Sequence, residues 1–129
     1  MDILEALQLL GTHDDVLIEM ARIGHVGDYD IIIWPNEGGY TPHFHLVDSN
    51  SRGQNFHTCI RLDEPSYFHH TCKEDVLNSK QKKMLVNFLQ SIDEYSDTSY
   101  WKTILIEWNR NSSNKKLDIN SEMPDYTKL

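Results

Sequence analysis

The chain has 129 residues, of which 39% are hydrophobic, and this length and composition fit one folded domain rather than a disordered segment. Its formal charge is −8, from 20 acidic and 12 basic residues, which argues against general nucleic-acid binding. No apolar run approaches the roughly 20 residues that a membrane-spanning helix needs, so no membrane partner is expected.

The N-terminus shows no basic segment ahead of an apolar stretch, which predicts that no signal peptide is present. The two cysteines, Cys59 and Cys72, form neither a disulfide framework nor a Cys-x-x-Cys pair. We therefore expect a cytoplasmic protein with reduced thiols.

Apolar residues at helical spacing predict a first helix over residues 2–10. A second short helix is predicted to begin at Thr12 or Asp14 and to end at Gly24 or Gly27, although the apolar residues after its cap fit a strand equally well. Three strands follow, and their short, turn-rich connections predict an antiparallel meander with strands at residues 29–34, 42–48 and 55–63.

Two of these strands, at residues 42–48 and 55–63, contain the candidate polar site residues. Because successive side chains of a strand point to opposite faces, His43 and His45 share one face, and Phe44 takes the other. A hairpin centred on Ser51 would set His45 opposite His57 and His43 opposite Cys59. The polar face then collects the candidate ligand-binding residues His43, His45, His57, Cys59, Arg61 and Asp63.

The second half of the chain predicts two helices. Asn78 and Gln81 form a potential capping box at the start of the first helix, which is followed by an amphipathic stripe. A final helix over residues 99–110 has Trp101 and Trp108 on its apolar face. Residues 1–110 are thus one α+β domain, a small antiparallel sheet of three or more strands with helices packed on one face. Residues 111–129 form a polar C-terminal tail that we expect to dock back through Met123 and Tyr126.

We expect the function to depend on the polar face of the sheet. This face should be exposed to solvent, line a cleft or contact another chain. Imidazole and thiolate groups are ligands for Zn²⁺ or a similar divalent transition metal, and His43, His45 and His57 are the candidate metal ligands. The alternative without a ligand is that this face is merely the half-polar outer side of a sheet.

The leading interpretation is a small, cytosolic, non-catalytic binding module that recognises a protein or a small ligand through this face. The alternative is a metal-dependent hydrolase, for which Asp30, Asp63 or Glu64 is the candidate base. Whether the protein is an enzyme stays open at this level. Homodimerisation through an exposed edge strand is also possible.

The run Pro42-His43-Phe44-His45, together with residues 59–63, the helix start at Asn78 and the terminal Trp-bearing helix, resembles a group of small domains. These are uncharacterised bacterial and phage domains with a Pro-His-Phe-His strand, some of which occur beside toxin–antitoxin or mobile-element genes. The resemblance covers residues 25–110. It implies an intracellular protein of accessory or defence-related context and assigns no reaction.

Overall fold

The computed structural model describes residues 21–34, 37, 39–69, 75–112 and 114–129. The helix predicted over residues 2–10 lies outside these ranges, as does most of the second predicted helix. Within the described ranges, no helix has both the length and the apolar character that a membrane span requires.

In the described part of the chain, four antiparallel strands form the central sheet, and their order in the sheet is their order in the chain. The strands are β1 (Ala21–Val26), β2 (Tyr29–Ile33), β3 (His43–Asp48) and β4 (His57–Arg61). The predicted three-stranded meander is confirmed as β2, β3 and β4, and β1 extends it by one strand.

Strand β1 occupies residues that the sequence assigned to the end of a helix, so that prediction is wrong. β1 pairs with β2 from Ala21↔Ile33 to Val26↔Tyr29, with a bulge between Arg22 and Gly24. The connecting turn includes Gly27 at φ +60, a conformation that glycine adopts without steric cost. Pairing with the apolar strand β2 stabilises the extended conformation of these residues more than any local signal stabilises a helix.

The β3–β4 hairpin has a different register from the predicted one. The pairs are His43↔Arg61, His45↔Cys59 and Val47↔His57, which moves the centre of the hairpin from Ser51 to Arg52. The predicted pairings are therefore wrong by two residues. Because side chains alternate with a period of two, this shift leaves every side chain on its predicted face.

Two helices follow the sheet, α1 (Ser79–Gln90) and α2 (Tyr100–Arg110), and a short hairpin of β5 (Ile92–Asp93) and β6 (Thr98–Ser99) connects them. Both helices were predicted, and their bounds agree with the sequence pattern. The capping box at Asn78 is also present, since its side chain accepts from Gln81 N while the Gln81 side chain accepts from Asn78 N.

The main core lies between the helices and one face of the sheet, which confirms the α+β fold class. The sheet contributes buried Ile31, Phe44 and Ile60, and the helices contribute apolar residues such as Leu85 and Trp108. Ile32 and Val47 form a small cluster with Trp34 that is separate from this core. The polar strand residues point to the other face of the sheet, although the ring of His43, at the start of β3, lies 5.6 Å from that of the core residue Trp108.

The C-terminal segment is part of the same core. Tyr126 is fully buried, in a short 3₁₀ turn (Tyr126–Lys128), and its hydroxyl donates to the backbone carbonyl of Arg61. Met123 packs against the core, partly buried. The predicted docking of these two residues is confirmed, and the core extends beyond residue 110.

Candidate metal centre

The chain after β4 turns back and covers the polar face of the sheet. Phe68 N donates to the Cys59 carbonyl at 2.9 Å, and Tyr67 forms an isolated antiparallel β-bridge with Ile60. Tyr67 is directed to the core side, and the ring of the next residue, Phe68, lies 4.7 Å from that of His43. This cover explains much of the burial of the imidazoles beneath it.

The side chains of His43 and His45 are only 1% and 3% exposed. The expectation of an accessible polar face is therefore wrong for these two residues. His57 is partly buried. A macromolecular partner has no direct access to the first two imidazoles, whereas an ion held among them would be shielded from water.

Glu37 is the carboxylate of this cluster. It is the one acidic residue in the connection between β2 and β3, and its side chain is 11% exposed. A single oxygen, Oε2, contacts Nε2 of His43 and lies 2.7 Å from Nε2 of His45. Sequence reasoning placed this residue in a turn and missed it; its signal is an acid six positions before a strand with two histidines on one face.

The tautomer of His43 follows from its other nitrogen. Nδ1 lies 2.7 Å from the carbonyl oxygen of Thr41, which only accepts hydrogen bonds, so Nδ1 carries a proton. The remaining nitrogen, Nε2, faces Glu37. A histidine whose far N–H is fixed by a backbone carbonyl is the usual arrangement of a metal ligand.

His45 connects this carboxylate to the next strand. Its Nδ1 lies 2.9 Å from Nε2 of His57 and 3.3 Å from Sγ of Cys59. Donor atoms of His43, His45 and Cys59 lie within 4.8 Å of one another, and all three residues are buried. The structure therefore brings the three predicted histidines and Cys59 into one cluster, with His57 at its side.

The electrostatic setting of Glu37 follows from these contacts. Burial alone raises the pKa of its carboxyl group, but the hydrogen bonds and the charge attraction from His43 and His45 outweigh that effect and lower the pKa from 4.5 to about 2. The carboxyl group is thus held as a carboxylate inside the protein.

Cys59 is disulfide-bonded, and the residues that the structure describes include no free cysteine. The expectation of reduced thiols is therefore wrong for Cys59. The sequence has one other cysteine, Cys72, which lies outside the described residues.

The side chains of Arg61 and Asp63 pair with each other. The Arg61 guanidinium donates to both carboxylate oxygens of Asp63 at 2.8 Å and lies 3.0 Å from Glu64. These hydrogen bonds lower the pKa of Asp63. Asp30 instead pairs with His25 at 2.6 Å. The carboxylate beside His43 and His45 is therefore Glu37, not any of the three predicted bases.

Comparisons with protein-family models, with curated proteins and with solved structures found no significant match to this chain. The function is therefore inferred from the geometry of this cluster.

Proposed function

We propose that this protein is a small, non-catalytic binding module whose ligand is a divalent transition metal ion, held by Glu37, His43 and His45. The observation that supports the proposal is that one buried carboxylate oxygen meets Nε2 atoms of two imidazoles. Nitrogen and oxygen donors in this combination suit Zn²⁺ and related ions, so Zn²⁺ is the probe of choice.

The proton balance favours an ion at this position. With Nδ1 of His43 protonated, its contact with Glu37 through Nε2 needs a second proton on the ring or a proton on the carboxylate. A bound metal ion replaces that proton, and both imidazoles then bind in their neutral form. The negative charge of Glu37 would partly neutralise the ion, which lowers the cost of burying it.

The burial of the site favours binding over catalysis. A metal-dependent hydrolase that uses His43, His45 and His57 needs an open coordination position and a bound water. The almost complete burial of His43 and His45 restricts the access of water and substrate to such a position. The ion would link the β2–β3 connection, through Glu37, to β3, and binding would therefore stabilise the fold.

The biological setting is part of the same proposal. We place the protein in the cytoplasm, in the defence or mobile-element context that the resemblance at residues 42–45 implies. In such a compartment thiols are kept reduced, so the state of Cys59 would depend on redox conditions.

Titration of the metal-stripped, untagged full chain with Zn²⁺ under non-reducing conditions tests this function. We expect about one equivalent to bind and the melting temperature to rise with free Zn²⁺. His43→Gln and His45→Gln should each weaken binding by at least about tenfold. His25→Gln is the matched control, because His25 is a half-exposed imidazole on the edge strand of the same sheet.

Circular dichroism of each variant without metal would show that the fold is retained. Equal Zn²⁺ affinity in the wild type and in both His→Gln variants would overturn the proposal, as would binding well below one equivalent.

A further inference from the structure

We infer that the oxidation state of Cys59 controls this centre: the thiolate of Cys59 is a metal ligand, and formation of its disulfide removes that ligand. The inference rests on the proposed function, because it concerns the affinity of the same site. It adds a regulatory role to a thiol that the sequence already offers as a candidate metal ligand.

The position of the sulfur supports the inference. Cys59 is 1% exposed, and its Sγ lies 3.3 Å from Nδ1 of His45, beside the metal-binding residues. Cys59 and His45 are direct partners in the β3–β4 pairing, so two paired strands hold the sulfur beside the imidazole in either redox state. No backbone rearrangement is needed to bring this sulfur to the site.

The chemistry of sulfur gives the direction of control. A thiolate is a strong ligand for Zn²⁺, whereas a disulfide sulfur carries no charge and is a poor one. The disulfide-bonded form therefore has the set Glu37, His43 and His45. The reduced form offers a charged sulfur beside the same two histidines, and one donor atom each of His43, His45 and Cys59 lie within 4.8 Å of one another. Because the sulfur faces Nδ1 of His45, His45 binds through Nδ1 in this form and through Nε2 in the oxidised form.

The redox step is an exchange with a dithiol reductant. One thiolate of the reductant attacks a sulfur of the disulfide, forms a mixed disulfide and expels the other sulfur as a thiolate. The second thiol of the reductant then displaces the protein sulfur and closes a disulfide within the reductant. The protein gains two electrons and two protons, and Cys59 gives up its thiol proton when the metal binds.

The reverse step makes the site responsive to oxidation. A disulfide-containing oxidant converts Cys59 back to its disulfide, and two electrons pass to the oxidant. The metal loses its sulfur ligand and is released or held more weakly. The alternative, a disulfide that only braces the fold, predicts that metal affinity is independent of redox state.

Competition with a chromophoric Zn²⁺ chelator, on the full chain with and without a phosphine reductant, tests the inference. We expect the reduced protein to bind Zn²⁺ at least about tenfold more tightly than the oxidised protein. Co²⁺ bound to the reduced protein should show a thiolate-to-metal charge-transfer band that the oxidised protein lacks.

Two variants identify the sulfur. Cys59→Ser should bind Zn²⁺ as weakly as the oxidised protein and should not respond to the reductant. Cys72→Ser leaves Cys59 without an intrachain cysteine partner, so it should bind as the reduced protein does, with or without reductant.

The outcomes separate the two proposals. Equal Zn²⁺ affinity of the oxidised, reduced and Cys59→Ser proteins would overturn redox control and leave the metal-binding function standing. Failure of both oxidised and reduced wild-type protein to bind Zn²⁺ would overturn the function itself. A charge-transfer band lost in Cys72→Ser but kept in Cys59→Ser would also overturn the assignment of Cys59 as the ligand.

Discussion

Two carboxylates mark the two ends of β3. Glu37, in the connection that precedes β3, contacts the imidazoles of His43 and His45. At its last residue, Asp48 accepts hydrogen bonds from the backbone N–H groups of Ser51, Gly53 and Phe56. The first carboxylate organises the candidate site, and the second organises the turn that fixes the register of β4.

Replacing Asp48 with Asn tests the second role. Burial raises the pKa of the Asp48 carboxyl, but the hydrogen bonds from Ser51, Phe56 and Gly53 outweigh it and lower the pKa below 3.8. The ionised group therefore stabilises the fold above its unfolded-state pKa, and this contribution is lost as the pH falls towards the lower folded-state pKa. We expect Asp48→Asn to cost about 2 kcal/mol near neutral pH.

Urea unfolding near pH 7 and again at low pH measures this effect. The difference between the wild type and Asp48→Asn should shrink in acid, because the wild-type carboxyl is then protonated. Asp28→Asn, an exposed aspartate in the neighbouring hairpin turn, is the control and should change little. A stability difference that is the same at both pH values would contradict this explanation.

Helix α1 shows how a local signal becomes part of the tertiary structure. Its first turn contains no acidic residue to complement the helix dipole and includes Lys80. The capping box at Asn78 and Gln81 is therefore important for satisfying the first N–H groups. Gln81 also donates from Nε2 to the hydroxyl of Tyr29 at 2.6 Å, which connects the start of α1 to β2.

We expect Asn78→Ala to destabilise the protein by about 1 kcal/mol, because it leaves the N–H of Gln81 without its acceptor. Chemical unfolding followed by far-ultraviolet circular dichroism measures the loss. Ser79→Ala changes the next, exposed residue and should have little effect. Equal stability of the two variants would show that the cap contributes nothing.

At the scale of the whole molecule, the C-terminal segment closes the core. The ring of Tyr126 packs edge-on against Phe44 at 6.1 Å and against Trp101 at 6.2 Å, measured between ring centroids. Burial raises the pKa of its hydroxyl. One side chain thus joins the sheet, α2 and the end of the chain.

Tyr126→Ala should cost about 4 kcal/mol, since it opens a cavity where sheet and helix meet. Tyr126→Phe should cost about 1 kcal/mol, because only the hydrogen bond to the Arg61 carbonyl is lost. Guanidinium unfolding of both variants measures these values. Tyr95→Ala is the control, because Tyr95 is fully exposed. Similar stability of Tyr126→Ala and Tyr95→Ala would contradict the proposed role of the C-terminal segment.

Elements with local signals are predictable from the sequence. The capping box predicts the start of α1, and the alternation in residues 43–48 assigns His43 and His45 to one face and Phe44 to the other. These features depend on hydrogen bonds and side-chain directions within a few residues. Both connections of the predicted three-stranded meander are present for the same reason.

Which groups come into contact depends on the tertiary fold. The turn around Asp48 set the register, the returning segment with Phe68 buried the imidazoles, and the β2–β3 connection brought Glu37 to His43 and His45. β1, likewise, exists through pairing with β2. Each of these contacts joins residues that lie in different segments of the chain. The pattern of side chains within one strand does not show how the chain between those segments folds.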